Sequence, residues 1–345
     1  MDEFIPEVGE ETDELYEHYR IVVDPKQSLL RIDKFLFNRL EHVSRNKIQN
    51  AAKAGNILVN DAPVKPNYKI KPADIISILL PNPVRDFEVL PENIPFEIIF
   101  EDDDLVVVNK EAGMVVHPGH GNYTGTLLNA LGWYFRERGE DEVVPSLVHR
   151  IDKDTTGVLL IAKSEMAQTK LGKQFFDHTI DRKYVALVWG DVKEPEGTIT
   201  GNIARNPKDR LQMFVFPEGD QGKHAVTHYK VIERFGYVTL VECTLETGRT
   251  HQIRAHMRFI GHPLFNDARY GGDQILKGTT FNKYRQFIQN CYKILPRQAL
   301  HAQSLGFVHP GTKEKLFFET PLPPDMQQAL EKWRHYVRHR ELFED

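Results

Sequence analysis

The chain has 345 residues, 41% of them hydrophobic, and a formal net charge of −5, which is enough for one large core plus a small second one and too apolar for a disordered chain. Cys243 and Cys291 are its only cysteines, which excludes a disulfide framework or a cysteine-rich zinc site and fits a reducing compartment. With no basic, apolar leader and no apolar run of spanning length, the expectation is a cytoplasmic protein without a membrane partner.

The charge is uneven. Residues 1–18 hold eight carboxylates and no Lys or Arg, and are expected to form a disordered acidic tail. Removing that −8 from −5 leaves +3 on the rest. Between 21 and 80, ten Lys/Arg stand against five Asp/Glu, a balance of +5, and phosphate binding follows the place of the charge rather than its sum. Ile21-Val22-Val23 predicts a short strand. Leu30, Ile32, Phe35, Leu36 and Leu40 fall at helical spacing and predict a helix over 31–40. Ser44 reads as the N-cap of a basic helix from Arg45 to Ala54 that stops at Gly55. Ile57-Leu58-Val59 reads as a strand, Asn60-Asp61 as a turn, and 70–76 as a second strand broken by a turn. The stretch 81–91 is proline-rich and poor in packing residues, so it is the expected linker between domains at 19–80 and 92–338.

Beyond it, strand patterns at 96–100, 105–108, 158–161, 183–188, 226–231 and 237–245 mix irregularly with helical patterns at 126–136, 165–176 and 324–338. Strands and helices do not alternate, which predicts an α+β domain with a largely antiparallel, mixed sheet rather than a doubly wound fold. No repeat and no Gly-rich phosphate loop is present. The stretch 272–295, with Phe281, Lys283, Tyr284, Arg285, Phe287, Tyr292 and Lys293, reads as a helical, basic-aromatic insertion. It is open to contact RNA or to pack on the surface.

The most informative segment runs from His149 to Lys163, His-Arg-Ile-Asp-Lys-Asp-Thr-Thr-Gly-Val-Leu-Leu-Ile-Ala-Lys. A lone carboxylate beside a histidine and an arginine suits a nucleophile or a general base. The same residues also suit an ordinary turn, with Gly157 free to take a positive φ. The order of the residues closely resembles the active-site signature of the RluA/RluD family of pseudouridine synthases, and in that family the aspartate matching Asp152 is the essential catalytic residue.

Further motifs extend the resemblance, in order, over nearly all of 18–335. The stretch 106–119, with Lys110, is similar to the opening motif that frames the catalytic cleft. Tyr184, in Lys183-Tyr184-Val185-Ala186, matches the tyrosine that lies against the target base; by itself a strand tyrosine is usually half-buried core. Thr247-Gly248-Arg249-Thr250-His251-Gln252-Ile253-Arg254-Ala255-His256 is nearly a full match to the third motif, whose second arginine, Arg254 here, pairs with the catalytic carboxylate. A guanidinium in that place favours the ionised carboxylate and fixes its direction. Arg150 is implied to hold RNA or fill the vacated space, and His149, Thr156, Arg249, His251 and Gln252 complete the expected substrate-binding set. The motifs at 261–271 and 300–310 are expected to be structural. Ile151 and Ala255 replace the commoner leucine and valine, which leaves the chemistry intact. His251, His256 and His262 match no zinc spacing, so no metal is expected.

The N-terminal pattern of helix, helix, strand, turn, strand resembles the small RNA-binding module named after ribosomal protein S-four (the alpha-L fold). The carrying residues are Arg31-Ile32-Asp33-Lys34-Phe35-Leu36, Ser44-Arg45, 54–60 and Ala73-Asp74. Arg45, Lys47 and Lys53 fall where that family contacts RNA. Together the resemblances imply an RNA pseudouridine synthase with a central catalytic cleft. It would break the bond from uracil to ribose, turn the base, and rejoin it through ring carbon, with no cofactor. Asp152 would act by covalent addition or as a base. The target uridine must be flipped out of its stack. The motifs look most like the RluD branch, which implies a monomer acting on 23S rRNA or a large-subunit precursor. Transfer RNA, a non-catalytic ribosome-assembly role, and a hydrolase using Asp152 with Asp154 or His149 are the alternatives.

Overall fold

The computed structural model describes residues 16–40, 43, 45–80, 89–118, 124–140, 142–207, 209 and 212–344. Most of the expected acidic tail, the Ser44 cap, the linker from 81 to 88 and Gly119 of the opening motif lie outside the described residues. The chain divides into two compact units at Val89.

The first unit is a four-stranded antiparallel sheet with two helices. Strand β1 (Tyr16–Val22) pairs with β4 (Ile75–Leu80), which pairs with β2 (Ile57–Val59) and it with β3 (Ala62–Pro63). The strand β1 starts before residue 18, inside the expected tail, because β4 pairs with it from Leu80 to Ile75, with a register shift between Glu17 and Tyr19. Asn60 and Asp61 both take positive φ, 50° and 66°, the geometry of a tight two-residue hairpin. Helices α1 (Ile32–Phe37) and α2 (Arg45–Lys53) bury Ile32, Phe35, Leu36, Ile48 and Ala52 against Ile57, Val59, Ile76 and Ile78.

The second unit is built on an 11-stranded sheet. Its first elements are β5 (Glu97–Glu101), β6 (Leu105–Lys110), α3 (Leu127–Glu137), β7 (Ser146–Leu147), β8 (Thr156–Ala162) and α4 (Glu165–Phe176). There follow β9 (Asp181–Trp189), β10 (Glu196–Arg205), β11 (Met213–Phe216), β12 (Lys223–Arg234), β13 (Val238–Leu245) and α5 (Gln252–Phe259). The chain closes with α6 (Asn282–Ile294), β14 (Leu300–Val308), β15 (Lys315–Glu319) and α7 (Pro324–Glu344). The strand order is β11-β10-β12-β13-β9-β14-β8-β6-β5, with β15 on β14 and β7 on β8. Among the described residues, β8 with β14 is the parallel pair and the other pairs are antiparallel, so the expected α+β, largely antiparallel architecture is the one observed.

Local signals explain most of these elements. Thr126 caps α3 and exchanges hydrogen bonds with Asn129, and Ser164 caps α4 through the Ala167 N–H. Every residue of β8 is buried, as a strand covered on both faces requires. Strand β10 carries Gly197 and Gly201, which weaken a strand on propensity alone. Here a Cβ at Gly197 would meet the Tyr229 ring at 2.6–2.7 Å, and one at Gly201 would meet Val215 at 2.6 Å, so both serve close approach. The stretch 272–295 packs as core rather than as a free surface: Tyr284, Ile288 and Cys291 of α6 join Met326, Leu330 and Trp333 of α7. Its Lys283, Arg285 and Lys293 remain exposed. No helix of the described residues is long and apolar enough to cross a membrane.

Gly157 opens β8 with φ +112°, and a Cβ there would stand 2.1 Å from the Ala302 carbonyl oxygen of β14. Gly157→Ala should therefore cost about 3 kcal/mol or more in unfolding free energy, from backbone strain and the forced parting of β8 from β14. Denaturant titration checks this; a loss under about 1 kcal/mol would mean that β14 yields freely.

Candidate active site

Asp152 stands in the turn that leads into β8, where its carbonyl accepts the Thr155 N–H at 3.1 Å. The next two carbonyls are also held. Lys153 O accepts from Lys110 Nζ at 2.7 Å and from Gly113 N at 3.0 Å, and Asp154 O accepts from Arg297 Nη1 at 3.0 Å. Lys110 is only 1% exposed and also donates to Glu111 O and Met114 O at 2.7 and 2.8 Å. Arg297 is anchored in turn by both oxygens of Asp325. Two buried basic side chains thus fix the backbone under the Asp152 side chain.

The carboxylate itself is aimed by Arg254, in the first turns of α5. Arg254 donates from Nε and Nη2 to the two oxygens of Asp267 at 2.7 and 2.8 Å, and from Nη1 to Asp152 Oδ2 at 2.9 Å. Asp267 is 1% exposed and caps the short turn Ala268–Tyr270. Burial opposes the charge of Arg254, but Asp267 first and Asp152 second hold its pKa above the ordinary value. The Tyr270 ring lies 5.0 Å beneath the guanidinium. His251 Nε2 is 3.8 Å from Asp152 Oδ2, its Nδ1 is 3.0 Å from the Tyr270 hydroxyl, and its backbone is left-handed at φ 52°. Burial lowers its pKa, with Asp152 opposing, so the ring tends to neutrality.

Two cavities flank this group. One, of about 440 Å³, is lined by Arg150, Asp152, Arg182, Tyr184, Arg249 and Arg254 among others; the second, of about 880 Å³, also reaches Asp152, Arg150 and Arg254 and adds Arg269 and Arg297. Both are of a size that takes a nucleoside-sized ligand. Tyr184 is buried on β9 and its hydroxyl pKa is raised by burial, with Arg182 opposing.

Residues 104–259 match the family model described as RNA pseudouridylate synthase, and residues 30–76 match that of the S4 domain. The chain is 47% identical over 317 residues to a Chlorobaculum parvum protein described as an uncharacterized RNA pseudouridine synthase, covering 90% of this chain and 96% of that one. It is 41% identical to the ribosomal large subunit pseudouridine synthase D of Zymomonas mobilis, over 86% of this chain and 92% of that one. The chain belongs to the RNA pseudouridine synthases. In fold it is similar to the solved human RNA pseudouridylate synthase domain containing 4, with a TM-score of 0.54 at 24% identity, over 69% of this chain and 93% of that one.

Within this synthase, the residues expected to bind substrate divide by where they point. Arg150 is exposed at both cavities and has no hydrogen-bond or ion-pair partner among the described residues. Arg249 lines the smaller cavity while its Nε donates to His224 O at 3.0 Å. Gln252 is buried and staples its loop, accepting from Thr247 Oγ1 and Arg249 N and donating to Val226 O and Thr227 Oγ1. Thr156 pairs with His301 Nδ1 at 2.9 Å. His149 Nε2 accepts the Leu160 N–H at 2.9 Å and its ring stacks on Phe175. Burial, then Arg182, pushes its pKa down to about 3, leaving a neutral ring committed to β8. Sequence reasoning assigned no role to Asp267, Arg182 or Arg297; the Gly-His-Pro-x-x-Asp order around 261–267 was the available signal for the first. His256 and His262 face Thr227 Oγ1 and Trp189 O respectively.

In the S4 domain, Asp33 is fully buried and accepts from Arg31, Arg45 and Gln49 at 2.7–3.1 Å. Burial opposes ionisation, but the Gln49, Arg31 and Arg45 hydrogen bonds bring its pKa down to about 2. Arg45 is therefore tied to the fold, while Lys53 is exposed beside a surface hollow that also holds Arg31 and Lys65. The Lys47 side chain lies outside what is described. Arg45→Ala should cost about 1–3 kcal/mol, toward the lower end because its side chain is 42% exposed. Lys53→Ala should leave stability within about 0.5 kcal/mol and flatten the salt dependence of RNA binding by up to about one unit. Melting curves and filter binding distinguish the two; equal effects from both would remove the distinction.

Lys110 gives a pH signature. Burial pushes its pKa from 10.5 down to about 7, against the charge of Asp154. Below about 7 the folded protein bears the full cost of the buried ammonium. Between about 7 and 10.5 the unfolded chain holds a proton that the folded one has lost, so this residue makes stability rise with pH. Lys110→Met should remove that rise, read as the difference in unfolding free energy from wild type across the window. Parallel curves would show that Lys110 keeps its proton on folding.

Proposed function

We propose that this synthase converts uridines of large-subunit ribosomal RNA, 23S rRNA or its precursor, into pseudouridine, with Asp152 as the catalytic residue. The observation that carries the reading is the state of the Asp152 carboxylate. One oxygen is clamped by a buried guanidinium that Asp267 already fixes. The other has no protein partner among the described residues and is the atom left for chemistry. A flipped uridine entering beside Tyr184 meets a flat ring for stacking and the free carboxylate oxygen. The bond from N1 to C1′ breaks, the base turns, and C5 joins C1′. The hydrogen of C5 leaves to solvent and N1 takes up a proton, so the reaction is balanced without a redox partner. The apolar wall from Ile151, Tyr184, Leu245, Ile253 and Leu300 keeps water from the detached base. Arg150, exposed and unpaired, holds the RNA strand. Relatives named ribosomal large subunit pseudouridine synthase D, at 41% identity, support the choice of RNA. The expected setting is the cytoplasm, with the protein acting as a monomer.

Asp152→Asn should reduce pseudouridine formation by at least ~10⁴-fold, the scale of an essential nucleophile or base, and leave RNA affinity nearly unchanged. Tritium release from 5-tritiated uridine in RNA measures turnover. Retained turnover in the mutant would sink the assignment of Asp152. A deletion strain whose large-subunit RNA keeps its pseudouridines while transfer RNA loses them would overturn the choice of target.

A further inference from the structure

Arg182 stands two residues before Tyr184 on β9, so the two share one face of the strand, and both line the cavity of about 440 Å³ that reaches Asp152. It is 6% exposed. Its Nε is buried without any hydrogen-bond partner, and its one hydrogen bond is a long one, 3.4 Å from Nη2 to Glu246 O. No carboxylate lies within ion-pair distance of it among the described residues. The other buried arginines here differ: Arg254 holds both oxygens of Asp267, and Arg297 both oxygens of Asp325. A buried guanidinium without an anion is strongly unfavourable, and native proteins bury such charges with a partner. The Phe175 ring, 5.4 Å away, gives the cation a face to lie on but uses none of its donors. That ring is itself stacked on His149 at 4.6 Å. Gly248 leaves it room, since a Cβ there would meet Nη1 at 2.7 Å.

We infer that Arg182 is the seat of an anion, and that the anion is a backbone phosphate of the RNA strand whose uridine enters beside Tyr184. The planar fork of an arginine fits two phosphate oxygens at once, and phosphate is the anion that an RNA substrate brings to this cavity. The inference rests on the RNA reading above. It is tested by binding alone, so a protein that binds phosphate but forms no pseudouridine would sink the catalytic reading and leave this one standing.

Wild-type protein is titrated with inorganic phosphate, against chloride of equal ionic strength, and its melting temperature is followed. Binding to a large-subunit RNA transcript is then measured over a range of salt, with Arg182→Met and Arg182→Lys alongside. Phosphate should raise the melting temperature of wild type and not of Arg182→Met. Without phosphate, Arg182→Met should melt at or above the wild-type temperature, because it removes a buried, unpaired charge; a structural clamp would give the opposite. RNA affinity should fall roughly ten- to a hundredfold, and the slope of log affinity on log salt should flatten by about one unit or slightly less. Arg182→Lys should keep the slope and lose affinity. An Arg182→Met protein that melts lower and binds RNA with wild-type affinity and slope overturns the proposal. Phosphate stabilisation with unchanged RNA binding overturns the RNA source, in favour of free phosphate. Should Arg182→Met fail to fold, wild-type RNA affinity in Arg182→Lys together with no phosphate effect on wild type overturns it equally.

Discussion

The guanidinium of Arg254, shared between Asp267 and Asp152, is the interaction around which the candidate site of the second unit is built. Asp267 and Arg254 are both almost out of solvent, and neither could be so alone. Losing one member of a buried pair typically costs about 3–5 kcal/mol, because the other is left charged in a poor solvent. Asp267 uses two of the three N–H directions engaged by the arginine. The third has one place to go, and Asp152 occupies it. The direction of the Asp152 carboxylate is therefore set by a residue 115 positions away in sequence (267 − 152) that does not touch it. Beneath it, Lys110 and Arg297 grip consecutive carbonyls of the same turn, so backbone and side chain are fixed by separate basic residues.

The S4 domain repeats this principle at smaller scale. Asp33 is buried with no exposure, and Arg45 and Gln49 of α2 and Arg31, the residue before α1, converge on it. This joins α1 to α2 more firmly than six and nine residues of helix would by propensity. It also spends the charge of Arg45 inside the fold. A basic helix face is thus a mixture of structural and free cations, and only partner counting separates them.

Much of this was legible in the sequence. The helix over 165–176 was readable to the residue because Ser164 caps it and Ala167 and Leu171 repeat at helical spacing. The run Val158 to Ile161 announced a central strand. What escaped notice has physical causes. Strand β10 was hidden by glycines whose role is to admit Tyr229 and Val215, and β1 was extended by pairing with a strand far along the chain. Helix α5 begins at a left-handed histidine, a start that no ordinary cap signals. At the site, the motif order located Asp152 and Arg254. It did not tell which face each motif residue presents. Gln252 and His149 line the smaller cavity but have polar atoms bonded to β12 and β8, and Thr156 bonds His301. The hydrogen-bond demand of nearby backbone and hydroxyl groups is invisible in a linear string.

Charge sums mislead for the same reason. The chain carries −5 overall, yet the walls around Asp152 are rich in arginine. Of these, Arg254 and Arg297 are neutralised by carboxylates, while Arg150, Arg182, Arg249 and Arg269 have no carboxylate partner among the described residues. Arg150 and Arg182 differ in kind. Arg150 is exposed, so the RNA contact proposed for it would have to overcome the entropy of ordering a long side chain. Arg182 is already held against Phe175, and its loss of water was settled on folding. A fixed cation in a low-dielectric wall acts on position more than on encounter, whereas a mobile one at the rim acts on capture. With both kinds beside a carboxylate whose own direction is fixed by Asp267, the two proposed contacts would catch a strand loosely and still align it tightly.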